Sequence, residues 1–584
     1  MEPIRKVERA AAARPAPEGV APKAPSRRVA GRTGRGAGVQ PPGGMVRLFS
    51  GDYFGLDGRP VEVQVDVSDR GGPTFQVVGL AGKSIRESRE RIRTAIRNSR
   101  FSFPHKDSII VNLAPAAQQK DGAGFDLAIA LGILLSVRAR EGDGFERATL
   151  GTTGWLGELG LGGEVRPVPG ALLVAHALKE RGVREVFVAP GNVPEVALVD
   201  GLEALAVTTL RQAVEIALGS GEARAEAEAA TGLATGLAMG PAESAEHSGQ
   251  RWQRREVGEL RGGATPEAED FSDVVGQEAT KRGLLVAAAG EHNGFLVGTP
   301  GVGKTMLVAR LPGILPPLCY EEALEVTRIR SVLGQSVAGG LARVRPFRAP
   351  HHTISYAGLV GGGPHLRPGE VTRAHHGVLF LDELPEYQRR ALETLREPLE
   401  EGWISLARSN GAVTYPCRFL LIAAMNPCPC GYLGHPQRPC SCTPRAVRAY
   451  LGRISGPLLD RFDLFLDVEP VDAAELLTRR PTRSGPSTGE LHGQVLAARV
   501  RQTQRWGDGI TNGRVSFRRL LRQGGFRSES LELVRSSAAR LGVSARGCAR
   551  MLRVARTIAD LGMAAAVEKG HVLEALHYRQ PPGH

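Results

Sequence analysis

The chain has 584 residues, 42% of them hydrophobic, which is too long for one core and too apolar for a disordered protein, so two to four globular domains are expected. The longest apolar run, Leu127 to Val137, is well short of the roughly 20 residues that span a bilayer, and no N-terminal apolar segment reads as a secretion signal, so a cytoplasmic protein with no membrane segment is expected. The net charge of +13 points to a polyanionic partner, and seven cysteines, four of them within fifteen residues, exclude a disulfide framework in favour of a reduced compartment and a candidate metal site.

Residues 1–44 carry nine Lys/Arg against three Glu, have no hydrophobic period and should be disordered. They read better as sequence upstream of a start at Met45 than as a DNA-binding arm. Valines alternating with polar residues from Val61 to Val67 predict a half-buried strand. Ser84 and Glu87 fit a capping box opening a helix through Asn98. Further strands are expected at Ser108–Leu113 and Glu185–Ala189, with an apolar helix at Phe125–Ser136, so residues 45–218 form an α/β domain of their own. Its Lys120-Asp121-Gly122-Ala123-Gly124 resembles the active-site segment of Lon-type protease domains, but Gly122 stands where the serine would be. No lysine follows before Lys179, so a scaffold or DNA-contacting role is expected instead of protease chemistry. Residues 219–268, rich in Ala, Glu, Gly and Arg, read as a linker.

The segment Asp270 to Gln277 resembles the adenine-packing entry of AAA+ proteins and opens a core at 269–484. Within it, Asn293 to Thr305 reads as a buried strand delivering a glycine loop to the start of a helix. Gly298, Thr299, Pro300, Gly301, Val302 and Gly303 turn backbone N–H groups toward the phosphates of ATP, Lys304 adds a point charge, and the Thr305 hydroxyl ligates Mg²⁺. The run Gly377 to Glu383 is a second buried strand ending in two acids, of which Asp382 holds Mg²⁺ and Glu383 orients the attacking water. Between them lies Arg345 to Thr353, whose adjacent His351 and His352 are poor partners for one ion and read as structural or nucleic-acid-facing.

Trp403 to Tyr415 predicts a β-hairpin turning at Ser409-Asn410-Gly411. In a ring ATPase such a hairpin faces the pore, which makes Arg408 either a DNA-phosphate contact or a solvated side chain. The buried strand Phe419–Met425 ends at Asn426, whose amide suits the γ-phosphate or the attacking water. Next, Cys428, Cys430, Cys440 and Cys442 have C-x-C-x(9)-C-x-C spacing, either four ligands for a structural Zn²⁺ or a loop of reduced cysteines. Arg461, flanked by apolar residues, is the candidate arginine finger toward a neighbouring subunit, with Arg453 in reserve. A Pro/Ser/Gly/Thr-rich connection at 472–490 leads into a helical lid, 485–584, in which fourteen arginines face three acids between Arg499 and Arg556. Arg546 and Arg553 share a helix face there; Arg546 is the candidate γ-phosphate sensor, and the other charge is left for DNA.

These motifs resemble the ComM/YifB proteins, magnesium-chelatase-like AAA+ ATPases, through Val111 to Pro115, Arg345 to Thr353, Gly377 to Glu383, Asn426 to Gly431 and Arg553 to Leu561. The resemblance implies an α/β protein with an AAA+ P-loop core, an N-terminal Lon-protease-like domain and a C-terminal helical lid, assembling as a homo-hexamer. It also implies a ring helicase on single-stranded and branched DNA, driving branch migration as incoming strands integrate in natural transformation. The Leu458 to Leu464 run is similar to the arginine-finger segment of MCM helicases. Cys417 and the 44-residue extension depart from the family pattern, and a chelatase-type protein-remodelling subunit is the competing expectation.

Overall fold

The structure, a computed structural model, describes residues 44–579 apart from 71, 81, 117–118, 143–149, 239–269, 336–339, 364–365, 409–410, 472–484 and 542. The basic tail, most of the expected linker, the tip of the hairpin turn and most of the 472–490 connection lie outside the described residues.

The N-terminal half is built on a seven-stranded mixed sheet. Across it run Thr74–Val78, Ser108–Ala114, Asp57–Ser68, Val46–Phe54, Thr153–Leu156, Glu185–Val188 and Glu203–Ala206. Val61, Val63, Val65 and Val67 all point into the core while their neighbours stay partly exposed, as strand alternation requires. The helix Asp126–Glu141 is buried over its first eleven residues and covers this face.

Two expectations need correction here. The helix after residue 82 begins at Lys83 behind Gly82 with no side-chain cap, so the Ser84/Glu87 capping box does not form. Its entry is fixed by packing instead, because Gly82 N–H donates to Lys120 O at 2.8 Å and a Cβ there would sit 2.9 Å from that carbonyl. The first part of the expected linker is an 18-residue helix, Gly221–Ala238. Ala223 and Ala227 are buried on the domain, Arg224 pairs with Glu185 at 2.8 Å, and Thr231 Oγ1 accepts from Ala206 N–H at 2.8 Å. Alanine is a strong helix former, yet its small apolar face gives little periodic signal.

Gly122 has φ +102°, a backbone region that a serine rarely adopts, and Lys120 is buried with its Nζ donating to the carbonyls of Gly79, Leu113 and Pro115. Both residues therefore serve the fold of this segment.

The central sheet is five-stranded and wholly parallel, in the order Phe347–Arg348, Val378–Leu381, Leu420–Met425, Gly294–Gly298, Leu464–Val468. Its three inner strands are buried at every position, which explains their unbroken apolar sequences. Among the described contacts between the N-terminal sheet and the C-terminal half are two beside the first strand turn. Tyr53 Oη donates to Val332 O at 3.3 Å, and Phe54 packs against Gly411 on the hairpin Trp403–Arg408/Gly411–Pro416.

Five C-terminal helices, Thr488–Trp506, Phe517–Gln523, Ser528–Leu541, Ala545–Leu561 and Lys569–His577, close over the helix Glu278–Gly290. Much of their arginine excess is spent inside the molecule. Arg499 and Arg514 hold Glu291, Arg550 reaches Asp463 at 3.3 Å, Arg505 and Arg556 converge on Asp560, and Arg553 donates to Val515 O. The expectation that the charge remaining beyond Arg546 is free for DNA is thereby narrowed to side chains such as Arg518 and Arg522, which stay exposed. Asp560 is buried and also accepts from Asn512 Nδ2 at 2.8 Å. Replacing it with Ala leaves two cations and an amide without their acceptor, so Asp560→Ala should lose about 3 to 5 kcal/mol, read as an earlier denaturant midpoint.

Candidate nucleotide-binding site

Because the three inner strands are parallel and in near register, with Val297 opposite Met425 and Leu381 opposite Ala423, their C-terminal ends open onto one edge. The glycine loop leaves Gly298, Asn426 leaves Met425, and Asp382 with Glu383 leaves Leu381. Gly301 and Gly303 have φ +81° and +89°, so the loop takes a path that residues with a Cβ resist. Lys304 opens the helix Lys304–Ala309, and its Nζ donates to Gly298 O at 2.6 Å, Thr299 O at 3.0 Å and Asn426 Oδ1 at 3.0 Å. Burial draws its ammonium below the usual lysine range, with Asp382 and Glu383 opposing that shift.

Thr305 Oγ1 donates to Asp382 Oδ2 at 2.8 Å, and Asp382 Oδ1 accepts Glu383 N–H at 2.9 Å. A hydroxyl and a carboxylate oxygen side by side beside a phosphate loop are a donor set suited to Mg²⁺. Glu383 has φ +51°, a left-handed conformation that costs a non-glycine residue about 1 to 3 kcal/mol. Its carboxylate is met by His352, which the sequence reads as structural or nucleic-acid-facing and whose Nδ1 lies 2.9 Å from Glu383 Oε2. The His352 ring stands edge-on to Tyr387, whose hydroxyl donates to Pro350 O at 2.5 Å. The signal was the His351-His352 pair; the partner is thirty-one residues away and invisible to spacing.

Arg461 and Arg546 are brought together, but away from this edge. The Arg461 guanidinium is only 4% exposed and is bound by Glu400 and the Pro457 carbonyl, while Arg546 lies 3.7 Å from the same Glu400. Burial pulls the Arg461 guanidinium below its usual range, Glu400 opposes the shift, and Arg396, Arg546 and Arg550 reinforce it. The reserve, Arg453, pairs with Glu386 at 2.9 Å. Arg408 is exposed at the end of its strand, paired across the hairpin with Gly411.

The four cysteines also converge. Cys428, Cys430 and Cys440 have Sγ–Sγ separations of 3.3 to 3.6 Å, Cys442 Sγ accepts Cys430 N–H, and all four sulfurs lie within 4.8 Å of one another. Tetrahedral zinc with Zn–S bonds of about 2.3 Å needs sulfurs about 3.8 Å apart, so the donor set and its spacing fit that ion. Backbone N–H bonds from Tyr432 and Ser441 draw the Cys430 thiol down to about 5.

A glycine phosphate loop, an acid-tipped strand and a polar strand end on one edge of a parallel sheet, packed by C-terminal helices, place the chain among AAA+ ATPase family members. Models of the magnesium chelatase ChlI subunit match residues 270–476 and 61–192, and the model of its C-terminal part matches 485–579. The uncharacterized protein YifB of Salmonella typhimurium is 39% identical over 528 residues, covering 90% of this chain and 95% of the relative. The uncharacterized protein Rv2897c of Mycobacterium tuberculosis is 40% identical over 547 residues, 91% and 98% of the two chains. The competence protein ComM of Haemophilus influenzae is 36% identical over 533 residues, 91% and 97%. The chain belongs to the ComM/YifB family of magnesium-chelatase-like proteins. No helix among the described residues is long and apolar enough to cross a membrane.

A second cluster, Glu325, His375 and His376, has metal-like spacing but the wrong hydrogen bonds. His375 Nδ1 accepts Arg418 N–H at 2.9 Å, so the proton sits on Nε2, which donates to Glu325 Oε2 at 2.8 Å. Burial holds His375 down at about 4, against an ordinary 6.5. The unfolded chain therefore binds a proton that the folded chain refuses, and stability should fall as pH drops from 6.5 toward 4. Glu325, held low by both histidines, adds a loss of the same sign below its ordinary 4.5. Thermal melts across this range should show the loss, on the order of 3 kcal/mol from His375, and His375→Gln should flatten it between 6.5 and 4.

Proposed function

We propose that the protein is an ATP-driven motor on DNA, a ring of six copies that promotes branch migration while incoming single strands integrate. The observation that carries the ATPase half is the convergence of Lys304, Thr305, Asp382, Glu383 and Asn426 within hydrogen-bonding reach. On nucleotide binding, Lys304 exchanges loop carbonyls for phosphate oxygens while Asn426 stays within reach of the same charge. Thr305 and Asp382 hold Mg²⁺, which when bound neutralises charge on the phosphates. Glu383 aligns water for attack, and its contact with His352 sets where that carboxylate stands. Arg461 and Arg546, sharing Glu400, are assigned to the nucleotide of a neighbouring copy, with Arg461 released from Glu400 when that neighbour docks.

The DNA half is supported by the 36% identity to a protein named for competence and by the exposed Arg408, Arg518 and Arg522. The match to ChlI models favours one alternative, an ATP-driven remodelling subunit of the chelatase type. Steady-state ATP hydrolysis with and without single-stranded and branched DNA, at two salt concentrations and with Lys304→Ala as blank, separates the two. Stimulation by DNA that weakens with salt is expected, and a rate indifferent to all DNA transfers the weight to remodelling. Glu383→Gln should still bind ATP while turnover drops by about a hundredfold or more. The cysteine cluster is assigned to a structural Zn²⁺; metal analysis should find one zinc per chain, lost with Cys440→Ser, and only trace metal in the unaltered protein would reject it.

A further inference from the structure

A cleft of about 220 Å³ lies at the edge of the central sheet, outside the nucleotide site. Three elements each turn one arginine into it: Arg330 from the helix Tyr320–Val332, Arg348 from the edge strand Phe347–Arg348, and Arg373 from the short helix Glu370–Arg373. One carboxylate answers them. Glu370 takes Arg348 at 2.5 and 2.9 Å and Arg373 at 3.0 Å, which engages both of its oxygens with those two cations. His375, also on the wall, is neutral and engaged with Glu325.

Arg330 is therefore left over. Among the described residues no carboxylate faces it, and the charge nearest in effect is the like charge of Arg348. A half-buried cation beside another cation is costly unless an anion completes the group. Guanidinium forks from three directions suit a phosphate, whose several oxygens each accept paired N–H donors, better than a single carboxylate.

The cleft is also wired to the site. Arg348 pairs in register with Leu379, three residues before Asp382, and is four residues before His352, which touches Glu383. We propose that this cleft binds a phosphate group through Arg330, Arg348 and Arg373, supplied either by the backbone of a DNA strand or by free phosphate. The DNA source rests on the motor reading above; the free source does not.

The test uses the full chain with ADP and Mg²⁺ in excess, so that the glycine loop is filled. Two probes are followed in parallel: a labelled single-stranded oligothymidylate by anisotropy across a salt series, and inorganic phosphate by the rise in melting temperature over matched chloride. Arg330→Gln leaves no carboxylate stranded and should melt with the unaltered protein in chloride. If the DNA backbone is the source, Arg330→Gln binds the oligonucleotide several-fold more weakly with a salt slope lower by about one, and Arg330→Lys recovers the slope but not all the affinity. If free phosphate is the source, oligonucleotide binding is unchanged and the phosphate-induced rise disappears in Arg330→Gln. An unaltered protein that binds no oligonucleotide sinks the DNA source, and the phosphate arm then decides the cleft. Identical behaviour of Arg330→Gln and the unaltered chain with both probes overturns the proposal.

Discussion

Parallel pairing of three buried strands is the constraint on which the rest depends. Gly294–Gly298 lies between Leu420–Met425 and Leu464–Val468, and Leu420–Met425 lies in turn against Val378–Leu381. All run the same way, so every chain segment leaving a C-terminal end emerges at one edge. A one-residue slip between Val297 and Met425 would move Asn426 by about 3.3 Å and break its 3.0 Å contact with Lys304. The left-handed Glu383 fits the same account. Its N–H caps Asp382 while its side chain turns toward His352, and the packed strand beneath absorbs the backbone cost.

The C-terminal helices are held to this sheet by apolar contact and by charge. One continuous core contains Leu284 to Ala289, Leu464 and Leu466 from the ATPase side, and Met551, Leu552, Val554 and Ala555 from those helices. Its rim is electrostatic, with acids on the core meeting arginines of the C-terminal segment at Glu291 and Asp463. Asp463 is held below the ordinary aspartate range, where His292 and Arg550 outweigh its burial. It is two residues from Arg461, so the Arg550 contact anchors the C-terminal helices beside the segment carrying Arg461.

The residues legible in the sequence were those whose chemistry depends on near neighbours. The glycine loop, the acid-tipped strand, the strand ending at Asn426 and the C-x-C pairs each fall within a few residues, and each sits where its pattern predicts. The residues that escaped act across long separations. Glu400 shows no motif, yet it organises Arg461 and Arg546; His352 finds Glu383 only after the edge strand has been laid against its neighbour. The arginine-rich lid misled for the complementary reason. Composition counts charges but not partners, and Glu291, Asp463 and Asp560, which consume several of them, are scattered over 270 residues of sequence.

The contact between the N-terminal sheet and the hairpin carries a last consequence. Phe54 and Leu56 pack against the cluster that holds Leu406, Val413 and Tyr415, and a side chain at Gly55 would collide with Val413. Full burial of an aromatic side chain contributes about 1.5 to 3 kcal/mol, so even the half-buried Phe54 matches or exceeds the roughly 1 kcal/mol or less of an exposed ion pair. Moving the hairpin away from this turn would therefore expose the apolar face they share. Its inner face is shared with the turn between the first two N-terminal strands, while Tyr53 beside that turn bonds the end of the helix that carries Arg330. Arg408 at the hairpin end, Phe54 in the N-terminal sheet and Val332 at the end of the helix carrying Arg330 therefore lie along one run of static contacts, from hairpin to turn to helix.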